Sequence, residues 1–290
     1  MDEIVEIAAL RERVRGWRQA GERIGLVPTM GNLHGGHLTL VDKALAECDR
    51  VVVSIFVNPT QFVPGEDFAA YPRTYEADCG LLAERGIDVV FAPKVAEIYP
   101  NGPTLRTQVS VPALDNILCG VSRPGHFRGV ATVVAKLLNI VQPDVAVFGL
   151  KDYQQLLVID HMVRDLSLPV AVLGAAIARE PNGLAMSSRN VYLNTEQREQ
   201  AGVLYATLTT MAERLRQGDH DRRGLIDWGQ AQIQAAGLAL DYLELRRASD
   251  LADLCRGDTH VVIAVAAYLG QARLIDNVQL TLPSPGLTED

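Results

Sequence analysis

Two histidines three residues apart, His34 and His37, lie in the glycine-rich stretch GNLHGGHL, directly after a short apolar run. Imidazoles can donate hydrogen bonds to a phosphate without a fixed charge, and they add a charge when protonated. Gly31, Gly35 and Gly36 allow the backbone to turn tightly and to approach a ligand closely. A helix that begins near His37 points free N–H groups and a positive dipole end at that ligand. The stretch therefore predicts a phosphate site.

The same spacing has two other interpretations. His-x-x-His also occurs in metal sites, but the sequence offers no third ligand nearby, so phosphate is preferred over a metal. The simplest alternative is that His34 and His37 are two polar residues in a surface turn. Only further motifs can decide between a surface turn and a phosphate site.

Polar side chains also follow a second apolar run, in SIFVNPTQF, and a basic cluster stands in SRPGHFRGV. Asn58 and Gln61 can hydrogen-bond a carboxylate or a neutral ligand, although an Asn before a proline equally fits a turn cap. Arg123, His126 and Arg128 come just before the longest apolar helix, where they form either an anion site or a solvated charged surface.

Two later segments carry further donors. In FGLKDYQQ, Lys151 is a phosphate-binding candidate at the start of a second helix. Asp152 can cap that helix or hold a ribose hydroxyl, and Gln155 lies one turn further on. The segment GLAMSSRN, residues 183–190, combines two hydroxyls with an arginine, a set that suits the outer phosphates of a nucleotide.

Strands and helices are predicted to alternate along the first part of the chain, which carries most of these residues. Nearly continuous apolar runs predict strands of a parallel sheet that is covered on both faces. The predicted strands are Ile24–Val27, Val51–Val57, Ile87–Phe91, Val145–Phe148 and Val170–Leu173. The predicted helices are Leu38–Cys48, Glu76–Arg85, Val130–Val141 and Tyr153–Asp165. This alternation predicts a doubly wound α/β domain over residues 1–177.

The pattern changes near Ala178, after which two helices are followed by three strands without alternation. The predicted helices are Thr195–Gln217 and Arg223–Ala236, and the predicted strands are Leu240–Arg246, His260–Ala267 and Ala272–Gln279. Such an order predicts a smaller α+β domain over residues 178–290, and a ligand site is expected at the join. The tail PSPGLTED is expected to be frayed.

The composition of the 290-residue chain limits the classes of protein to which it can belong. Hydrophobic residues make up 48% and charged residues 21%, values typical of a globular enzyme. The net charge of −8 disfavours general nucleic-acid binding. Four scattered cysteines predict reduced thiols and no zinc site. The N-terminus lacks a signal-peptide core and no apolar stretch could span a membrane, so a cytoplasmic location is expected.

Six of these motifs occur together in one order and spacing: VPTMGNLHGGH, SIFVNPTQF, YPRT, RPGHFRGV, FGLKDYQQ and GLAMSSRN. The HxGH element resembles the signature of adenylyl-transferring nucleotidyltransferases. The whole set, from about Leu26 to Leu193, resembles the pantoate–β-alanine ligase family, and a weaker likeness continues to AYLGQARLIDN.

The resemblance implies a fold and a reaction. The expected fold is a Rossmann-like domain that binds ATP and pantoate, followed by a smaller lid domain, in a homodimer. The expected reaction joins pantoate to β-alanine through a pantoyl adenylate, and it releases AMP and pyrophosphate. ATP is a substrate, and Mg²⁺ is required. Most ligands of the Mg²⁺ ion would be ATP oxygens, because no acidic cluster stands out in the sequence.

The resemblance also implies roles for individual residues. His37, His34 and Lys151 would be catalytic, with His37 as the proton donor. Pantoate and β-alanine would contact Gln61, Gln155, Asn58, Arg123 and Tyr71. ATP would contact Met30, Gly31, Asn32, Leu33, His34, Gly35, Gly36, His37, Gly149, Leu150, Lys151, Asp152, Ala178, Met186, Ser187, Ser188 and Arg189.

Three positions depart from the family pattern: Gly35 replaces a common acidic residue, Leu150 a common Glu or Lys, and Ala178 a frequent Val. None of these changes removes a donor that the reaction needs. Two other functions remain possible at this point. A nucleotidyltransferase that leaves AMP on its product would not need Gln61 and Gln155, and a nucleotide-sensing protein without turnover would not need Lys151.

Overall fold

The computed structural model of the protein describes residues 1–104, 106–219 and 221–282. These residues form two compact units. The first contains Met1–Leu150 and Gln155–Ala176, and the second contains Lys151–Gln154 with the described residues from Ile177 onward. The predicted frayed tail, PSPGLTED, lies outside the described residues.

A six-stranded sheet forms the centre of the first unit. Its strands are β1 Asp2–Ile4, β2 Ile24–Thr29, β3 Arg50–Ile55, β4 Val89–Phe91, β5 Val145–Gly149 and β6 Ala171–Ala175. All neighbouring pairs are parallel, in the order β1-β4-β3-β2-β5-β6. The predicted Rossmann-like doubly wound sheet is therefore confirmed. Strand β1, at the edge, was not predicted, because three residues are too few to show a period.

Helices connect the consecutive strands of this sheet. They are α1 Ile7–Gln19, α2 Gly35–Glu47, α3 Tyr75–Glu84, α4 Val95–Ile98, α5 Pro112–Asp115, α6 Cys119–Ser122, α7 His126–Val141 and α8 Tyr153–Asp165. Helix α2 buries Leu38, Val41 and Ala44, spaced three residues apart, so one face of the helix meets the sheet. Helix α1 was not predicted, because only Leu10, Val14 and Trp17 of its charged sequence are buried.

The order of the strands creates a switch point between β2 and β5. From β2 the chain continues to β3 and β4 on one side of the sheet, whereas β5 and β6 extend it on the other. Val145 and Ala146 of β5 pair with Gly25 and Leu26 of β2. In doubly wound sheets, ligands bind outside the carboxyl ends of the strands at such a point. The loop that begins at Met30 leaves the sheet there.

The second unit contains a three-stranded antiparallel sheet, in the order β7 Ala239–Arg247, β8 His260–Leu269 and β9 Ala272–Thr281. The helices of this unit are α9 Thr195–Gln200, α10 Val203–Arg216 and α11 Arg222–Ala235. Leu208, Met211 and Ile233 of the helices share a core with Ile263 and Val265 of β8. The predicted smaller α+β unit is confirmed.

The single helix predicted over Thr195–Gln217 is wrong, because two helices are separated at Ala201 and Gly202. A Cβ at Gly202 would lie 2.7 Å from the Asn182 carbonyl oxygen, so the chain passes close to another backbone segment there. The apolar pattern continues through this break, and the sequence therefore conceals it. Within the described ranges, every helix falls short of the length and apolar character that a bilayer crossing requires.

Candidate active-site residues

The loop after β2 is held by a buried carboxylate, Asp78 of α3, whose exposed fraction is 1%. The backbone N–H groups of Asn32 and Leu33 donate to its two oxygens at 2.9 and 2.8 Å. The Thr74 hydroxyl donates to the same carboxylate at 3.0 Å. Three donors satisfy a charge that would otherwise be costly to bury. Sequence analysis missed Asp78, which looks like an ordinary polar position on an amphipathic helix.

Gly31 makes the close approach to Asp78 possible. Its φ of 79° lies in the left-handed region, which favours glycine. A Cβ there would stand 3.0 Å from an Asp78 carboxylate oxygen and 3.1 Å from a methyl carbon of Ile55. Asn32 follows with a φ of 52°, a conformation that Asn tolerates better than most residues. These two residues turn the chain from β2 into α2.

His34 and His37 cap the N-terminus of α2 reciprocally. The Gly36 N–H donates to His34 Nδ1 at 3.1 Å, and the His34 N–H donates to His37 Nδ1 at 3.4 Å. The ring centroids are 4.1 Å apart and the rings are tilted by 47°. This arrangement has the logic of the Ser-x-x-Glu capping box, with imidazoles in place of the hydroxyl and the carboxylate.

The capping bonds select one tautomer for both rings. A nitrogen that accepts from a backbone N–H carries no proton, so the hydrogen-bond pattern places the proton of each neutral ring on Nε2. His34 and His37 therefore each present an Nε2–H donor at the N-terminus of a thirteen-residue helix. Donors and dipole together suit an anion, and phosphate binding at this point stays a prediction.

Gln61 is oriented by a chain of hydrogen bonds from the buried side chain of Asn58. The Thr60 N–H can only donate, and it meets Asn58 Oδ1 at 3.3 Å. Asn58 Nδ2 therefore donates to Gln61 Oε1 at 3.1 Å. Gln61 Nε2 then donates to the sulfur of Met30 at 3.0 Å, which brings the two predicted segments together. The Tyr99 hydroxyl also donates to Asn58 Oδ1, at 2.7 Å.

These bonds give Asn58 a supporting role, because both its donors and its acceptor are used. Its second Nδ2 hydrogen bond goes to the Gly129 carbonyl oxygen of α7 at 3.3 Å. Gly129 itself must be a glycine, because an added Cβ would lie 2.2 Å from the Thr60 carbonyl oxygen. The helix thus approaches the 3₁₀ turn Pro59–Gln61 at backbone distance.

A second network fixes the backbone of the same turn. His126 Nδ1 lies 2.7 Å from the Gln61 carbonyl oxygen, and its Nε2 lies 2.9 Å from an Arg123 nitrogen. The guanidinium can only donate, so Nε2 accepts and Nδ1–H donates to the carbonyl. Arg123 also makes a bidentate ion pair with Glu66, with distances of 2.5 and 2.9 Å. Three guanidinium donors are therefore engaged within the protein.

The Glu66 carboxylate is stabilised by this pairing. Burial acts to raise its pKa, but the hydrogen bonds and charge of Arg123 outweigh burial and leave the pKa below its usual value. The charge of Arg123 predicted either an anion site or a solvated surface, and the family resemblance implied that it contacts substrate. In the structure it lies in an ion pair, which gives it an ordering role, and its contact with substrate stays a prediction.

The remaining two predicted substrate residues of the first unit differ in their surroundings. Tyr71 is buried, and its ring meets the edge of Phe62 with centroids 5.9 Å apart. Gln155 lies in the first turn of α8 and is half-buried. Binding of substrate by Tyr71 or by Gln155 stays a prediction.

In the second unit, Lys151 lies in a 3₁₀ turn, Leu150–Asp152, that directly follows β5. The lysine side chain is 18% exposed, and its Nζ is 3.9 Å from Asp152 Oδ1. The Lys151 carbonyl oxygen accepts from Asn277 Nδ2 at 3.0 Å. The Tyr153 hydroxyl donates to the Ala248 carbonyl oxygen at 2.7 Å. The lysine segment is thus anchored to β9 and to the loop after β7.

Ala178 and Met186 belong to a short hairpin of the second unit. The Met186 N–H donates to the Ala178 carbonyl oxygen at 2.9 Å, and Arg179 forms an antiparallel bridge with Ala185. Immediately after the hairpin, Ser187 Oγ accepts from the Arg189 N–H at 3.3 Å and caps the 3₁₀ helix Ser188–Tyr192. The hairpin therefore connects the predicted adenine and phosphate positions.

An ion pair holds this hairpin. Arg179 donates to the two carboxylate oxygens of Asp276 at 2.6 and 3.0 Å and to the Gly183 carbonyl oxygen at 3.0 Å. Its guanidinium carbon also lies 3.6 Å from the Tyr205 ring centroid. Burial raises the pKa of Asp276, while Arg179 and Lys151 act to lower it. Sequence analysis had no signal for this pair, since its members are 97 residues apart.

A divalent metal held by the protein alone would need several acidic or histidine ligands close together. The described residues contain no group of three or more His, Cys, Asp or Glu side chains that could hold a metal ion. A Mg²⁺ ion that accompanies a nucleotide usually takes one or two protein ligands and several phosphate oxygens and waters. The described residues therefore do not form a protein-built Mg²⁺ cage.

These features define a class of protein: a doubly wound α/β protein with a helix N-terminus suited to an anion at its switch point. The turn that carries the Gln61 side chain lies beside this N-terminus. The sequence model of the pantoate–β-alanine ligase family matches residues 3–279. The chain belongs to the pantoate–β-alanine ligase family, and it is a ligase for these two compounds.

Known relatives agree over nearly the whole chain. The pantothenate synthetase of Alkalilimnicola ehrlichii is 56% identical over 282 residues, which are 97% of this chain and 99% of that protein. The crystal structure of a pantothenate synthetase from Thermus thermophilus is 46% identical, with a TM-score of 0.88, and the match covers 98% of this chain and 100% of that one.

A third relative was solved with ligands. This is the pantoate–β-alanine ligase of Francisella tularensis, in complex with β-γ ATP and β-alanine. It is 37% identical to this chain with a TM-score of 0.79, and the match covers 96% of this chain and 97% of that one.

Proposed function

We propose that the protein activates pantoate with ATP as a pantoyl adenylate, transfers the acyl group to β-alanine, and releases AMP and pyrophosphate. The observation that carries this proposal is the reciprocal capping of α2 by His34 and His37. Two Nε2–H donors at a helix N-terminus suit the phosphates of ATP, and the complex of the Francisella ligase with β-γ ATP supports the choice of nucleotide.

In the first step, a carboxylate oxygen of pantoate attacks the α-phosphorus of ATP. A new P–O bond forms, the bond to the β-phosphate oxygen breaks, and pyrophosphate leaves. Negative charge grows on the phosphoryl oxygens during this step. Donors that are already in place stabilise such charge without reorganising. His34 and His37 supply Nε2–H donors, and Lys151 supplies a positive charge. His37, which the family resemblance implies as the proton donor, donates its Nε2–H hydrogen bond to the leaving pyrophosphate and keeps its proton.

In the second step, the neutral amine of β-alanine attacks the activated carbonyl carbon of the adenylate. The C–O bond breaks, AMP leaves with the oxygen that came from pantoate, and the amine loses a proton to the medium. Gln61 is suited to hold pantoate in both steps, because Asn58 and Met30 fix its amide before any ligand arrives. Gln155 contributes a second amide.

The remaining predicted residues have less direct roles in this proposal. Ala178, Gly149 and Leu150 would line the nucleotide, Asp152 would hold the ribose, and Met186–Arg189 would contact the outer phosphates. Mg²⁺ would be held mainly by ATP oxygens and would neutralise phosphate charge. The homodimer implied by the family is also proposed, and light scattering after gel filtration will test it.

An isotope experiment tests the adenylate. Pantoate labelled with ¹⁸O in its carboxylate is incubated with ATP, Mg²⁺ and β-alanine, and the AMP is analysed by mass spectrometry. We expect one labelled oxygen in AMP. A ligase that forms ADP would place the label in inorganic phosphate, and a nucleotidyltransferase would leave AMP on its product. Unlabelled AMP after complete turnover contradicts the proposed mechanism.

A further inference from the structure

Two adjacent polar residues, Asp276 and Asn277, are buried in β9, where each is only 4% exposed. They interrupt the otherwise apolar stretch LIDNV, residues 274–278, of a strand that adjoins a hydrophobic core. Burying a carboxylate and a carboxamide is costly unless both find partners. Their partners therefore indicate why an apolar pair would not serve equally well.

The two side chains leave β9 on opposite faces, because neighbouring residues of a strand alternate. Asp276 is in register with Val265, which belongs to the core beneath α10 and α11. Asn277 is in register with Ala264, on the other face. The Asn277 N–H also donates to Asp276 Oδ1 at 2.8 Å, so the two positions are coupled.

On one face, Asp276 fixes the hairpin that carries Ala178 and Met186. It does so through Arg179, whose guanidinium bridges the carboxylate and the Gly183 carbonyl oxygen. The Tyr205 ring covers the guanidinium, which leaves the ion pair little freedom. A bidentate pair of this kind determines orientation as well as distance.

On the other face, Asn277 fixes the backbone of Lys151. Its Nδ2 donates to the lysine carbonyl oxygen at 3.0 Å. The neighbouring bond from the Tyr153 hydroxyl to Ala248 holds the same four-residue segment at a second point. The segment Lys151–Gln154 accordingly belongs to the second unit, although the residues on both sides of it belong to the first.

We propose that Asp276 and Asn277 are positioning residues, and that β9 is one rigid frame for two separate nucleotide-contacting segments. Asn277 sets the position of Lys151, and Asp276 sets the hairpin that leads into Met186–Arg189. The inference rests on the proposed function, since it assigns Lys151 to the adenylation step. In this proposal Asp276 acts through Arg179 and Asn277 acts through Lys151.

The Asn277 half is tested with Asn277→Ala, which removes the donor to the Lys151 carbonyl oxygen. We expect the single-turnover rate of adenylation to fall about tenfold to a hundredfold, because displacing a catalytic group by about 1 Å costs that much. The KM for pantoate should stay within about twofold. Val278→Ala, on the same strand, is the matched control, and it should lower the melting temperature without lowering the rate per folded molecule.

A double-mutant cycle separates positioning from general damage. If Asn277 acts through Lys151, Asn277→Ala should cost nothing further in adenylation when it is combined with Lys151→Ala. Lys151→Ala alone should lower adenylation at least about a hundredfold in a folded protein. Normal adenylation by Lys151→Ala would refute the proposed role of the lysine. If Lys151→Ala lowers adenylation strongly and Asn277→Ala lowers it further in the double variant, only the positioning role of Asn277 is refuted.

The Asp276 half is tested with Asp276→Asn, which keeps the shape but points an amide donor at Arg179. We expect the KM for ATP to rise about tenfold, with the rate at saturating ATP changed less than about threefold. A merely structural role would reduce the folded fraction and leave KM unchanged, so rates are normalised to folded protein by circular dichroism. An unchanged KM for ATP in folded Asp276→Asn would overturn this half of the proposal.

Discussion

Asp78 accepts a hydrogen bond from the backbone N–H of Leu33 at 2.8 Å, across 45 positions of sequence. The same carboxylate accepts from Asn32, so one buried side chain holds two successive peptide units of the loop before His34. The position of the histidine pair therefore depends on a residue of α3 as well as on the glycines that precede it.

Asp78→Asn should destabilise the protein and slow adenylation. The amide presents a donor to one of two backbone N–H groups that need an acceptor, and an unmet buried donor costs about 1–3 kcal/mol. Urea unfolding measures the loss, and single-turnover assays measure the rate. Asp42→Asn, an exposed carboxylate on α2, is the control and should change unfolding by less than about 0.5 kcal/mol. Equal effects of the two substitutions would contradict the role of Asp78.

Capping and catalysis by His34 can be separated with two substitutions. Asn at this position can still accept from the Gly36 N–H, whereas Ala cannot. Both His34→Asn and His34→Ala should lower adenylation at least about a hundredfold, because both lose the Nε2–H donor. Only His34→Ala should also lose about 1 kcal/mol of stability. Normal single-turnover adenylation by either variant would remove His34 from the mechanism.

Gln61→Ala and Gln155→Ala should weaken pantoate binding while ATP binding survives. Each removes a polar partner of a small ligand, and the phosphate donors lie on other residues. Isothermal titration with pantoate and with ATP measures the two affinities separately. Reduced affinity for ATP together with unchanged affinity for pantoate would mean that the two subsites are reversed.

Gly129→Ala should disturb the 3₁₀ turn that carries Gln61. The new methyl group would lie 2.2 Å from the Thr60 carbonyl oxygen, and a backbone atom cannot move aside as a flexible side chain can. We expect a loss of about 1–3 kcal/mol and weaker pantoate binding. In Gly16→Ala, the methyl group meets open space on α1, so that helix should gain about 0.5–1 kcal/mol. Unchanged stability and pantoate binding in Gly129→Ala would show that the turn can shift to accommodate the methyl group.

The Glu66–Arg123 pair should make stability depend on pH. The pKa of Glu66 is lowered in the folded state, so its contribution is complete above the unfolded value of about 4.3. The contribution is lost as pH falls toward the folded value. The stability difference between the protein and Glu66→Gln should therefore be largest near neutral pH and shrink in acid. Urea unfolding at several pH values measures it. A stability difference that grew in acid would contradict the lowered pKa assigned to Glu66.

The sequence was sufficient for most of the sheet, because the strands of a covered parallel sheet are apolar throughout and the helices between them are periodic. It was also sufficient to place His34 and His37 at the start of a helix, because the glycines that surround them are neighbours in sequence. Whether those residues bind the predicted ligands stays a prediction. The break at Gly202 was missed because its cause, a close approach to Asn182, lies in another segment.

The supporting residues could not be predicted for the same reason. Asp78 and Asp276 look like ordinary acidic residues until the fold supplies their partners, which are two backbone N–H groups in one case and Arg179 in the other. Arg123 shows the converse, since its charge suggested an anion site, whereas its pairing with the Glu66 carboxylate was not visible in the sequence. Charge is visible in sequence, but the neutralising partner is not.

The membership of Lys151–Gln154 in the second unit has a consequence for recombination between relatives. A crossover after Ala176 would take the lysine from one parent and the strand that holds its carbonyl oxygen from the other. Chimaeras that exchange residues 151–154 together with 177–282 keep Asn277 and its partner from one parent. Functional chimaeras should therefore be those that exchange these two segments together, although the segments are separate in the sequence.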